Sequence, residues 1–139
     1  MNNDELVDAL AGFSLFADVG RPDLEGLVHS FDEEWYSQGQ RVLRQGFTGT
    51  GFHLIVQGEA AIVIDGEERT TLGRGDFFGE ISVLLDEPPV ADVVALSPLH
   101  CVVLARADLP EWLLGHPSVC LRMLQASLRR LRAANLWRS

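Results

Sequence analysis

Lysine is absent from this sequence. All eleven basic residues are arginine, set against twenty Asp and Glu, for a net charge of −9. So acidic a domain repels polyanions, which excludes nucleic acid and anionic membranes as default partners. Cysteine is scarce as well. Cys101 and Cys120 lie in no CxxC and no Cys/His ligand spacing, so metal and redox motifs have no support. Both are expected to be buried free thiols. No apolar run approaches the roughly eighteen residues of a membrane span. The opening MNNDELVDALAG is acidic and lacks the basic and apolar regions of a signal peptide, so a cytoplasmic setting is expected. Repeats, low-complexity tracts and interdomain linkers are also missing. No G-x-S-x-G and no paired Cys/His signal speaks for nucleophilic catalysis, so the chain reads as no enzyme.

What is present is a hydrophobic fraction of 47% over 139 residues, enough for the core of one domain. Residues 1–30 read as helical. Leu6, Ala9, Leu10 and Phe13 recur at helical spacing, and Pro22 opens a second helix after a break at 17–21. From Phe31 to about Ala105 the period becomes strand-like. Short runs at 41–44, 52–56, 60–64, 69–72, 90–96 and 99–105 are punctuated by glycine, and Asp65-Gly66 marks a tight hairpin. Many short strands so spaced imply an antiparallel barrel, roll or jelly roll. Helical periodicity returns over 106–139, with Pro117 opening a long helix to about Trp137. There Leu121, Leu124, Leu128 and Leu131 follow a 3-4-3 spacing. That stripe packs either on the chain's own roll or on the same helix of a second copy, and a homodimer seam fits its narrowness better. Arg122, Arg129, Arg130, Arg132 and Arg138 read as a solvated helix face. Phe47, Phe52, Phe77 and Phe78 are expected in the core, and Trp35, Trp112 and Trp137 in packing or at an interface.

The informative stretch is GDFFGEISVLLDEPPVADVVA, residues 75–95. A Gly-Asp turn and two aromatics lead into Gly79-Glu80, a short apolar helix, an Asp-Glu-Pro-Pro loop and a β-branched strand. Gly79 lets a backbone come close to a ligand, and the free amides just after it attract an anion. Glu80 can accept hydrogen bonds from paired hydroxyls such as those of a ribose.

This stretch resembles the phosphate-binding cassette of cyclic-nucleotide-binding domains, the family of the cAMP receptor protein and the regulatory subunits of protein kinase A. The segment WYSQGQRVLRQGFTGTGFHLIVQGEAAIVIDG is similar to the family's first strands, with Gly39, Gly46 and Gly58 at its glycine positions. The terminal helices match too, so the resemblance covers essentially the whole chain. It implies a mainly β fold: an antiparallel, jelly-roll-like β-roll with N-terminal helices, a cassette helix and a long C-terminal helix, as one stand-alone domain over 1–139. It also implies a ligand site at Gly79, Glu80, Ile81, Ser82, Pro89, Val90, Ala91 and Asp92, with Ala134 and Asn135 as a lid over a base.

The cassette departs from the family where charge matters. The family's phosphate-binding Arg aligns with Pro89, and its following Ser or Thr with Asp92. A charge-assisted hydrogen bond contributes roughly 1.5–3 kcal/mol. A carboxylate about 5 Å from a phosphate would cost about 3 kcal/mol at a dielectric near 20. Together these remove about 5 kcal/mol, between 10³ and 10⁴ in affinity. No other arginine is nominated by the sequence. The expectation is a regulatory small-molecule-sensing or protein-interaction module with cAMP and cGMP binding weak or lost, no cofactor, and a possible protein partner. The alternative is a genuine cyclic-nucleotide sensor with a rewired phosphate site. A cupin-type metal enzyme is the remaining rival, but it needs an HxH pair, and His53 near Glu59 has no second histidine.

Overall fold

The computed structural model describes residues 1–47 and 51–138, with side chains on the last helix through Ala134. Helix α1 (Asn3–Ala11) starts where the Asn2 side chain accepts the Glu5 amide, and it buries Leu6, Val7, Ala9 and Leu10. After a 3₁₀ turn at Ser14–Phe16, α2 (Arg21–Val28) buries Leu24, Leu27 and Val28, with Pro22 in its first turn.

Among the described residues eight strands come next: β1 (Phe31–Tyr36), β2 (Arg41–Leu43), β3 (Gly51–Gln57), β4 (Ala60–Ile64), β5 (Glu67–Leu72), β6 (Phe77–Phe78), β7 (Asp92–Ala95) and β8 (Leu99–Ala105). They form two four-stranded antiparallel sheets, ordered β1-β8-β3-β6 and β2-β7-β4-β5. Helix α3 (Glu80–Leu85) interrupts the strands, and α4 (Asp108–Gly115) and α5 (Pro117–Arg138) close the chain. The mainly β roll with flanking helices expected from the sequence is what forms.

Two apolar cores explain the patterning. One lies between the sheets, built from Leu43, Ile55, Phe78, Val93, Leu99 and Cys101 among others. The second lies between the first sheet and the helices, from Phe31, Phe52, Leu54 and Val102 to Leu10, Leu24, Leu109 and Met123. Strands β3 and β8 sit between the two cores, so both faces are covered and they read as unbroken apolar runs rather than as alternation.

Two smaller expectations change. Cys101 is buried, and burial pushes its thiol up to about 12, but Cys120 is exposed because it lies off the inward face of α5. Phe47 is exposed, whereas Phe52, Phe77 and Phe78 are core. The roll leaves the leucine stripe of the long helix about half exposed. Val119 and Met123 are buried and Ala126 packs beside them, while Leu121, Leu124, Leu128 and Leu131 remain 53–57% exposed. Among the described residues no helix is long and apolar enough to cross a membrane.

Candidate functional site

The turn from β6 into α3 is set by one residue. Gly79 has φ +87°, and a Cβ there would lie 2.5 Å from the Gly51 carbonyl oxygen. Only glycine allows both the left-handed backbone and this approach to β3. Behind the turn, His53 of β3 is buried and stacked on Phe78 at 4.7 Å. Its Nδ1 donates to the Gly51 carbonyl at 3.0 Å, and the Tyr36 hydroxyl donates to its Nε2 at 3.2 Å. This is a neutral ring, and burial holds its pKa down to about 4.

Glu80, the first residue of α3, is 6% exposed. Burial raises its pKa, and the Arg130 guanidinium opposes that rise. Arg130 reaches in from α5. Its Nη1 lies 3.6 Å from a Glu80 oxygen, its Nη2 donates to the Phe77 carbonyl at 2.7 Å, and its guanidinium sits 4.5 Å above the Phe77 ring. Arg130 therefore does not belong to a solvated arginine face.

The loop between α3 and β7 is pinned at both ends. The Ser82 hydroxyl donates to the Glu87 carbonyl and accepts from Arg106 Nη1 at 3.1 Å, while Arg106 Nη2 reaches the Ser82 carbonyl at 2.9 Å and Asp86 at 3.1 Å. The Pro89 carbonyl accepts the Gly46 amide at 2.8 Å. These contacts hold open a cavity of about 270 Å³ between the cassette, the second sheet and α5. That is near the small end of ligand pockets, roughly 300–1,000 Å³.

Gly79, Glu80, Ile81, Ser82, Pro89, Val90 and Ala91 all line this cavity, as does Ala134 of the expected lid. The side chain of Asn135 lies outside the described residues. Asp92 is the exception. Its carboxylate accepts the Gln45 amide at 2.7 Å and lies 3.7 Å from Arg41 Nε, and it forms no part of the cavity wall. The cause is strand alternation: Val93 points into the roll, so Asp92 points away. The expected repulsion between Asp92 and a bound phosphate therefore does not operate from inside the site.

Two arginines missed by sequence reasoning do line the cavity, Arg130 and Arg69 of β5. Neither presents a clear anion site. Arg130 is engaged as described. Arg69 pairs with Glu67 at 3.1 Å, and its Nε is buried without a hydrogen-bond partner among the described residues. The rest of the wall is largely aliphatic, from Leu43, Ile62, Ile64, Val93 and Leu131. Among the described residues no three His, Cys, Asp or Glu side chains gather to hold a metal ion.

A two-sheet roll carrying a cavity at a glycine-turned cassette defines a domain of the cyclic-nucleotide-binding type. The cyclic nucleotide-binding domain family matches residues 33–116, and the chain belongs to that family. It is similar to the cGMP-dependent protein kinase egl-4 of Caenorhabditis briggsae, 30% identical over 69% of this chain and 14% of the kinase. Among solved structures it is similar to cAMP-bound PfPKA-R, at TM-score 0.88 and 20% identity, over 97% of this chain and 47% of that one. It is also similar to the regulatory subunit of a cAMP-independent protein kinase A from Trypanosoma cruzi bound to guanosine. That match has TM-score 0.80 and 21% identity, over 98% of this chain and 49% of that one. The chain thus spans a small part of the curated kinase and about half of these solved chains.

Proposed function

We propose that this domain is a non-catalytic regulatory module that senses a nucleoside-like ligand in the cassette cavity, with binding of cAMP and cGMP weak or lost. The observation that carries the reading is Pro89. It stands at the family's arginine position, in an aliphatic wall around one buried carboxylate, Glu80. Glu80 is suited to accept from a pair of sugar hydroxyls, and Leu43, Ile62 and Val90 to cover a flat base. The Trypanosoma cruzi subunit, described as cAMP-independent and bound to guanosine, supports an uncharged nucleoside in a cavity of this fold. The module works in the cytoplasm without a resident cofactor.

With Asp92 directed elsewhere, the predicted loss for a cyclic phosphate shrinks to the missing arginine. Two charge-assisted hydrogen bonds amount to about 3 kcal/mol or more, at least a hundredfold in affinity. Calorimetric titration of cAMP, cGMP, adenosine and guanosine is the test. A nucleoside should bind at least as tightly as its cyclic nucleotide, and neither cyclic nucleotide should reach low-micromolar affinity. A low-micromolar dissociation constant for cAMP or cGMP would overturn the proposal. It would favour the second reading, a cyclic-nucleotide sensor with a rewired phosphate site, for which Arg69 in the cavity wall is the specific observation. Arg69→Ala should then abolish the binding.

Self-association through α5 belongs to the same proposal. The half-exposed leucine stripe supports it, and Leu131 sits on both the stripe and the cavity wall.

A further inference from the structure

Strand β1 carries the sequence Phe-Asp-Glu-Glu-Trp-Tyr and lies at the edge of its sheet. Among the described residues it pairs with β8 alone, so its outer N–H and C=O groups lie along an open edge. Such an edge is a template for another extended chain. Asp32 and Glu34 are exposed on one face of the strand, and Glu33 is half-buried on the other, where it pairs with the Met1 ammonium at 3.5 Å. Trp35 is 63% exposed, an unusual position for the largest apolar side chain. It is held flat by its cross-strand partner, with the indole stacked on the His100 ring at 4.6 Å and 6°. His100 is 8% exposed, and its Nε2 has no hydrogen-bond partner among the described residues, the nearest carboxylate being Glu33 at 3.7 Å. Beside this stack opens a groove of about 440 Å³, walled by Trp35, His100, Ser37, Gln38 and Gln57.

We infer that this edge is a docking surface for an extended, basic peptide segment of a partner protein, separate from the ligand cavity. The three features specify one occupant. The open edge supplies main-chain hydrogen bonds to a strand. The exposed Asp32 and Glu34 carboxylates meet Arg or Lys on one face of the added strand, and Trp35 takes a cation on the other. The rigid Trp35 face accepts a guanidinium through a cation–π contact, and the neutral amides of Gln38 and Gln57 can hydrogen-bond the peptide's polar groups in the groove. A second copy of this chain is the wrong occupant at this edge, because its own Asp-Glu-Glu run would oppose the first and like charges across a strand pair repel. The net charge of −9 also favours a basic partner.

The test is an amide chemical-shift titration of the whole chain with the capped hexapeptide Arg-Arg-Val-Arg-Arg-Val. Shifts are expected at residues 31–38 and 98–100, with the cassette unperturbed. The same peptide with alternate amides N-methylated keeps its charge and loses its strand donors, so it should bind at least tenfold more weakly. Trp35→Ala should weaken binding about threefold to fivefold. Glu34→Arg should weaken it further, and amide dispersion reports whether each variant is folded. Trp35→Phe keeps a ring on His100 and serves if Trp35→Ala does not fold. Equal binding of the N-methylated peptide, shifts centred elsewhere, or no shift at millimolar peptide would each overturn the proposal.

Discussion

Gly79 sets the turn on which the cavity wall is built. Its φ of +87° and the 2.5 Å approach of a Cβ to the Gly51 oxygen leave an alanine two ways to fail. Gly79→Ala should cost about 1–3 kcal/mol in denaturant unfolding, from backbone strain and the displaced crossing over β3. An unchanged midpoint would show that the turn relaxes freely. The turn at Gly79 and the helix start at Glu80 were legible in the sequence because both are local, whereas the approach of Gly79 to Gly51 was not. Arg130 and Arg106 were not, because their partners lie about 50 and 24 residues away and no local period encodes such a reach. Asp92 was misread for a different reason. Alignment gave its position in the cassette, but the alternation of its own strand, already visible in Asp-Val-Val-Ala, decides which way its side chain points.

At the scale of elements, α5 carries two apolar sets. Val119, Met123, Ala126 and Arg130 turn toward the domain, Leu121, Leu124 and Leu128 turn away from it, and Leu131 lies between, half exposed and on the cavity wall. The 3-4-3 spacing was legible in the sequence, but which surface it served was not, because a second apolar set runs along the same helix. Leu124→Arg with Leu128→Arg should convert a dimer into a monomer in sedimentation equilibrium while leaving the thermal midpoint of the fold nearly unchanged, since both side chains are about half exposed. A double variant that remains dimeric would place the seam elsewhere. The element hardest to see was β1. Its Asp-Glu-Glu run lacks the apolar alternation of a covered strand, because an edge strand tolerates charge that an interior strand does not.

For the molecule as a whole, acid stability depends on where the histidines sit. His53 lies under the cassette between the two cores, neutral, with its pKa held down to about 4 against an ordinary value near 6.5. The unfolded chain therefore takes up a proton that the folded one refuses. The stabilisation is full above the unfolded value and is lost as pH falls from about 6.5 toward 4. Burial shifts His100 the same way. Glu80 acts in the opposite sense, because burial raises its pKa and protonation relieves a buried charge. Asp18, held down to about 2 by Arg122 and Ser118, weakens the fold only in stronger acid, below the ordinary carboxylate range. Between pH 7 and 5 the proton His53 takes up on unfolding lowers stability by about 2 kcal/mol, with His100 acting in the same direction and Glu80 against it. Denaturant unfolding at a series of pH values checks this, and His53→Gln should flatten the slope even if it lowers stability throughout. A fold equally stable at pH 7 and pH 5 would mean that His53 is protonated in place, with Tyr36 and the Gly51 carbonyl rearranged around the cation. The cassette turn, which rests on that same carbonyl, would then move with pH instead of being fixed by the core beneath it.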